Sequence, residues 1–180
     1  MKLIALTGLP RSGKDTIAEY LGRRYGYARL AFADPLKKAA SVLLGRPLSE
    51  MEGADGFDRE AVLPEWGFTT RWFLQVLGTE CLREQVRPDF WVQRMRNTIQ
   101  NQRVLGVSSR FVITDCRFPN EVEMVHSLSG VVVEVTRPGT VASVHRSDWG
   151  VMADITLANS GGVLDLHSAV DDLVNNYGFA

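Results

Sequence analysis

Gly8-Leu9-Pro10-Arg11-Ser12-Gly13-Lys14 sets two glycines and a lysine at the spacing G-x-x-x-x-G-K. Residues of these types at this spacing bind phosphate. The glycines let successive backbone N–H groups turn toward an anion, a following helix adds its positive N-terminal end, and the lysine supplies a mobile charge. The expected ligand is a nucleoside triphosphate. The residue after the lysine, ordinarily a Ser or Thr that reaches magnesium, is Asp15, and the hydroxyl comes one position later at Thr16. One residue along a helix is a rotation of ~100°, so the two side chains cannot occupy the same place. Thr16 is assigned to the nucleotide phosphates and the role of Asp15 stays open. Gly8, Arg11, Ser12, Gly13, Lys14, Asp15 and Thr16 are the candidate nucleotide-binding residues of this loop.

A second group follows the apolar run Phe111 to Thr114, in Asp115-Cys116-Arg117-Phe118-Pro119-Asn120-Glu121. Asp115 could hold a magnesium-bound water or orient Arg117, and Arg117 could neutralise charge on the group in transit. Asp34 and Lys37 follow another apolar run. Asp34 could accept a hydrogen bond from a substrate hydroxyl, or it could simply cap the helix that starts at Pro35. Lys37 opposes the dipole of that helix, which a nearby anion would explain. Further on stand Arg71, Trp72, Gln75, Glu80, Arg83 and Trp91. Arg71 and Arg83 suit a monophosphate, Gln75 a base edge, and Trp72 or Trp91 a stacked base, while amphipathic packing explains the tryptophans equally well. Arg137, Arg146 and His145 lie in a polar stretch, 137–153, that could close as a lid. Asn159, in Asn159-Ser160-Gly161-Gly162, could approach a nucleotide closely or serve only turn chemistry.

The elements that must carry these groups alternate. Strands are expected at Lys2–Leu6, Arg29–Ala33, Phe111–Thr114, Val131–Val135 and Ile155–Leu157, because short apolar or β-branched runs read as strands buried on both faces. Helical spacing occupies Thr16–Tyr25, Pro35–Leu44, Thr70–Glu84, Pro88–Gln102, Asn120–Leu128 and Leu164–Val174. This order predicts a three-layer α/β/α domain with a five-stranded parallel sheet and ligands at the carboxyl ends of its strands. On the first helix of the pair Thr70–Glu84 and Pro88–Gln102, Arg71, Gln75, Gly78 and Arg83 fall roughly along one side. The region 45–103 is expected as an inserted helical lobe for an acceptor, with Gly45–Trp66 as a mobile stretch inside it. The whole chain, 1–180, is expected to be one domain.

Of 180 residues, 45% are hydrophobic, and 20 Lys+Arg stand against 21 Asp+Glu. That balance favours one globular domain and gives no overall basic field for nucleic acid. Membrane spans are not expected, since no run approaches ~18 apolar residues. Cys81 and Cys116 fit a reducing cytoplasm rather than a disulfide framework.

The chain resembles the bacteriophage deoxynucleoside monophosphate kinases, within the P-loop nucleotide kinases. The resemblance runs through Gly8 to Thr16, Phe32 to Lys37, Trp66 to Arg71, Gln75 to Arg83, Pro88 to Trp91, Asp115 to Glu121, His145 to Asp148 and Asp154 to Gly162. It implies transfer of the ATP γ-phosphate to a deoxynucleoside monophosphate with magnesium. By the resemblance Lys14 and Thr16 would be triphosphate ligands, Arg71, Gln75, Arg83 and Trp91 acceptor contacts, and Asp115 and Arg117 catalytic. The residue reading adds Lys14 and Arg137 to the catalytic group, Thr16 and Asp115 for the metal, and Asp34, Lys37, Trp72 and Glu80 for the acceptor. Thr70 stands where the family pattern has proline, and Asp148 where it has glutamate. The implied partner is a small nucleotide, with no nucleic acid or membrane, a homodimer being allowed. The implied place is the cytoplasm, that of the host for a phage-encoded chain. A P-loop kinase of a small hydroxylated metabolite, and a non-catalytic ATP-binding switch, are the alternatives.

Overall fold

A computed structural model describes residues 1–140 and 151–179. The elements are β1 (Lys2–Thr7), α1 (Lys14–Tyr25), β2 (Ala28–Leu30), α2 (Ala33–Leu44), α3 (Leu48–Glu52), β3 (Val62–Leu63), β4 (Phe68–Thr69) and α4 (Thr70–Gln75). A π-helix follows (Val76–Val86), then α5 (Phe90–Val104), β5 (Arg110–Ile113), α6 (Pro119–Ser127), β6 (Val131–Thr136), β7 (Ile155–Ala158) and α7 (Val163–Asn176). The chain divides into two compact units, Met1–Ala31 with Met95–Ala180, and Phe32–Arg94.

In the first unit the expected sheet is present, five strands in the order β2-β5-β1-β6-β7, every pairing parallel. Its middle strand is β1, whose Leu3, Ile4, Ala5 and Leu6 are wholly buried. Such a strand needs an apolar cover on both faces. On one face Ile17 and Leu21 of α1 and Val170 and Val174 of α7 pack with Ile4, Leu6 and Val133. On the other, α6 closes onto β1 and β6, with Met124 and Val125 buried. The result is a three-layer α/β/α arrangement whose central strand delivers the glycine loop to the ligand edge. α1 stops at Gly26, whose φ of 71° allows its N–H to close back on the Gly22 and Leu21 carbonyls.

The second unit is built around α2, α3 and α4. Ala40, Leu44, Met51, Leu63 and Leu74 form its core. Two expectations change here. The stretch Gly45–Trp66 is organised rather than loose: it contains α3 and β3, the latter paired antiparallel with β4 just beyond it, and buries Met51 completely. Its apolar residues are irregularly spaced because they feed a shared cluster from short, non-repeating pieces. The strand expected over Arg29–Ala33 ends at Leu30 and the next helix begins at Ala33, with Phe32 already in helical geometry, so Ala31, Phe32 and Ala33 leave the strand and Asp34 lies inside the first turn instead of capping it.

Candidate active site

The phosphate loop is shaped by close contacts, one to backbone and one to a side chain, that tolerate nothing larger than glycine. Gly8 has φ 124°, and a Cβ there would sit 2.3 Å from the Val135 carbonyl oxygen. Gly13 has φ 110°, and a Cβ there would meet the Asn159 amide nitrogen at 2.6 Å. Asn159 is buried and donates from Nδ2 to the Ser12 carbonyl at 2.8 Å, while its own N–H bonds the Thr136 carbonyl. Asn159 therefore braces the loop from β7, and Ser12 is itself wholly buried. Lys14 donates from Nζ to the carbonyls of Gly8 (2.8 Å) and Leu9 (2.7 Å) and to Ser12 Oγ (3.3 Å), so its charge is held over the loop. Arg11 stands exposed at φ 63°. Thr16 is half-buried, whereas the Asp15 side chain is 87% exposed and 4.0 Å from Arg29.

The segment after β5 is fixed at both ends. Thr114 N–H bonds the Leu30 carbonyl and Cys116 N–H bonds the Leu6 carbonyl, carrying the chain across the ends of β2 and β1. Glu121, only 1% exposed, accepts from the N–H groups of Arg117 (2.7 Å) and Phe118 (3.1 Å) through Oε2. Asp115 and Arg117 are half-buried on the segment so fixed. Sequence reasoning quoted Glu121 but gave it no role. The signal was its place three residues after Phe118, with Pro119 opening the helix, where a carboxylate reaches back to free backbone N–H groups. Cys116 is buried there, and burial, with Glu121 and Asp115 nearby, pushes its thiol far above the ordinary range.

Arg137 is exposed just beyond β6. With Leu9, Thr136, Pro138, Ala158 and Ser160 it lines a cleft of about 340 Å³ beside the phosphate loop. Of the expected lid, residues 141–150 lie outside the described residues, and with them His145, Arg146 and Asp148.

In the second unit the helix expected over Thr70–Glu84 is α-helical only to Gln75 and then π-helical to Val86. Hydrogen bonding from i to i+5 replaces the α register, so residues five apart share a face. Gly78 and Arg83 are such a pair, and both are buried. Arg83 donates to the Pro88 carbonyl at 3.3 Å. Gly78 rests on Leu36, whose Cδ2 would stand 2.7 Å from an added Cβ, and its carbonyl accepts the Trp91 indole N–H at 2.8 Å. Trp91, expected as a stacking surface, is thus placed in the core at 6% exposure, while Trp72 is 50% exposed and 5.2 Å from the Phe68 ring. Arg71 pairs through Nε with Glu60 at 3.2 Å, and its N–H bonds the Arg59 carbonyl. Asp34, Lys37 and Gln75 are half-buried and Glu80 is exposed.

Residues 61–170 match the family described as deoxynucleotide monophosphate kinase. The chain belongs to that family. A relative from Acanthamoeba polyphaga mimivirus, whose name assigns it provisionally to deoxynucleotide monophosphate kinase, is 30% identical over 98% of this chain and 97% of its own. The deoxynucleotide monophosphate kinase of Escherichia phage RB69 is 23% identical over 97% of this chain and all of its own. A Janibacter sp. sugar kinase shares the fold, with a TM-score of 0.54 at 12% identity over 99% of this chain and 95% of its own. As a member of the deoxynucleotide monophosphate kinase family the protein is a nucleotide kinase, a P-loop phosphotransferase whose substrates are small nucleotides. No helix among the described residues is long and apolar enough to cross a membrane.

The oxygen donors suit magnesium. Among the described residues no cluster of three or more His, Cys, Asp or Glu could cage a metal. A Thr16 hydroxyl at the start of α1 and an Asp115 carboxylate after β5 offer the one or two protein oxygens of a hard cation that keeps its waters and binds through phosphates.

Proposed function

We propose that the protein transfers the γ-phosphate of ATP to a deoxynucleoside monophosphate, giving the diphosphate. The observation that supports this most directly is the glycine-shaped loop carrying Lys14 at the end of β1, in a chain of this family. Gly8, Arg11, Ser12 and Gly13 wrap the triphosphate with backbone N–H groups, and Asn159 keeps them aimed. The nucleoside of ATP lies in the cleft between Leu9 and Ala158. Thr16 and Asp115 would hold magnesium, which would supply charge neutralisation for the phosphates; Asp15 is left to solvent.

Two anions must be brought together in line, so neutralisation and alignment carry the catalysis. Lys14, Arg117 and Arg137 neutralise the group in transit. No general base is assigned, because a phosphate monoester with a second pKa of about 6 is already largely ionised at neutral pH. On the second unit Arg83 and Arg71 receive the acceptor phosphate, Gln75 and Trp72 its base, and Asp34, Lys37 and Glu80 its sugar and remaining oxygens. Trp91 braces the Gly78 carbonyl beneath them.

The test is diphosphate formation from ATP and magnesium across the four deoxynucleoside monophosphates and their ribose counterparts. Turnover of deoxy acceptors that is lost in Lys14→Ala is expected. No turnover with any monophosphate, despite ATP binding, would sink the proposal.

A further inference from the structure

A second cleft, of about 980 Å³, lies in the first unit at the end of the sheet away from the phosphate loop. It is bordered by the start of β5, where Ser109 bonds the N–H of Lys2 at the start of β1. Arg96 and Arg103 reach it from α5, seven residues or nearly two full turns apart and so on one face, and Arg110 reaches it from β5.

Three guanidinium groups on one concave surface repel one another, and among the described residues no carboxylate lines it. Several arginines elsewhere sit against carboxylates: Arg23 on Glu19, Arg46 on Glu50 and Glu65, Arg71 on Glu60, Arg87 on Asp89. In the cleft, Arg96 donates to Ser127 Oγ at 2.8 Å and Arg110 to the Tyr25 carbonyl at 2.7 Å. Both partners are neutral. These bonds aim the guanidinium groups without offsetting their charge, which is what an anion site requires. The rest of the wall combines apolar Tyr25, Ile99, Val104 and Val107, the last 65% exposed, with polar Gln100, Ser108 and Ser109. Charge, an apolar surface and a few hydrogen-bonding groups on one wall fit a ligand with a phosphate chain and a flat organic body.

We propose that this cleft is a second nucleotide site, taking a nucleoside di- or triphosphate through Arg96, Arg103 and Arg110 with its base against Tyr25 and Val107. The proposal does not rest on the transfer reaction, since the phosphate loop leaves the other end of β1.

The experiment is calorimetric titration of the full chain with ATP and magnesium, and separately with inorganic triphosphate. Two ATP molecules per chain are expected, the one at the phosphate loop weakened by Lys14→Ala and the other by Arg103→Glu. Among the described residues the Arg103 side chain has no hydrogen-bond partner, and it is exposed, so Arg103→Glu should keep the wild-type melting temperature and turnover while weakening the second site by about tenfold or more. Inorganic triphosphate should compete at this site, but more weakly than ATP; equal affinity would remove the base from the proposal and leave a polyphosphate site. One ATP per chain, or a second ATP indifferent to both Arg103→Glu and Arg96→Ala, would overturn it. So would an Arg103-dependent affinity for polyglutamate that ATP does not displace, which would give the cleft to an acidic protein segment.

Discussion

Gly8 and Gly78 are both pressed by a neighbour, but the neighbours differ in kind. Against Gly8 stands a backbone carbonyl of β6, and the glycine's φ of 124° is closed to other residues without strain. Against Gly78 stands the end of a leucine side chain, in helical geometry. At Gly8 the phosphate loop is thus held against main chain locked into the sheet, whereas at Gly78 the π-helical region is held against a side chain that can yield. A site for the invariant part of a nucleotide can be rigid. A site for the part that varies gains from adjustable walls.

The sharpest way to break this contrast is to add one methyl group at each place. Gly8→Ala should lower turnover by more than about a hundredfold, the cost of displacing phosphate-binding groups by an ångström. Gly78→Ala should leave ATP binding intact, raise the KM for the acceptor severalfold, and cost about 1 kcal/mol in urea unfolding as Leu36 shifts. If Gly8→Ala were the milder change in a steady-state assay, the distinction between main-chain and side-chain construction would fail.

Next in size is Glu121. Replacement by Ala leaves the N–H groups of Arg117 and Phe118 buried without their acceptor, at about 2 kcal/mol of stability. Because those N–H groups belong to the segment carrying Asp115 and Arg117, kcat should fall about tenfold with the KM for ATP little changed. Glu121→Gln keeps an acceptor oxygen and should recover most of kcat. A loss of ATP affinity that matched the loss of kcat would show Glu121 acting on the whole fold instead.

The two cysteines report the same contrast without altering activity. Cys81 is exposed on the π-helix, and Cys116 is buried with its thiol pushed far up by burial. Alkylation followed by mass spectrometry should give one adduct per native chain, at Cys81, because the thiolate is the reactive form. Equal labelling of Cys116 would mean that the β5–α6 segment opens readily.

These differences also explain how far the sequence could be read. Gly8 to Lys14 was legible because the constraint is local: a strand, a turn that only glycine makes, and a helix follow one another in the chain. The β5 run and Asp115 were legible for the same reason. The π-helix was not. Val76–Val86 has the composition of an ordinary helix, and its register answers to contacts far along the chain, Leu36 beneath Gly78 and the Trp91 N–H on the Gly78 carbonyl, where an inserted donor competes with the helix ladder. Glu121 was in view as a letter, but its burial and its two backbone partners became visible only once α6 was packed on the sheet. The same holds for Trp91 and Trp72, alike in sequence and opposite in exposure.

The smallest effect lies at Thr70, the first residue of α4. Its side chain is wholly buried, and among the described residues its Oγ1 has no hydrogen-bond partner. A buried hydroxyl in that position costs stability that an isosteric methyl does not, so Thr70→Val should raise stability by about 0.5–1 kcal/mol. For a chain of this size that is a rise in melting temperature of roughly 1–4 °C. Thr70→Pro should act in the same direction for a different reason. The preceding Thr69 is extended at φ −92° and ψ 151°, the geometry a residue before proline requires, and the first helical position is the one that tolerates a missing N–H. Thr69 must still accept from the Trp72 N–H at 3.1 Å, and proline at 70 leaves that cap in place. A fall in melting temperature for the valine variant would mean that the hydroxyl finds a partner on folding, and that this lobe is held more by polar contacts than its apolar core suggests.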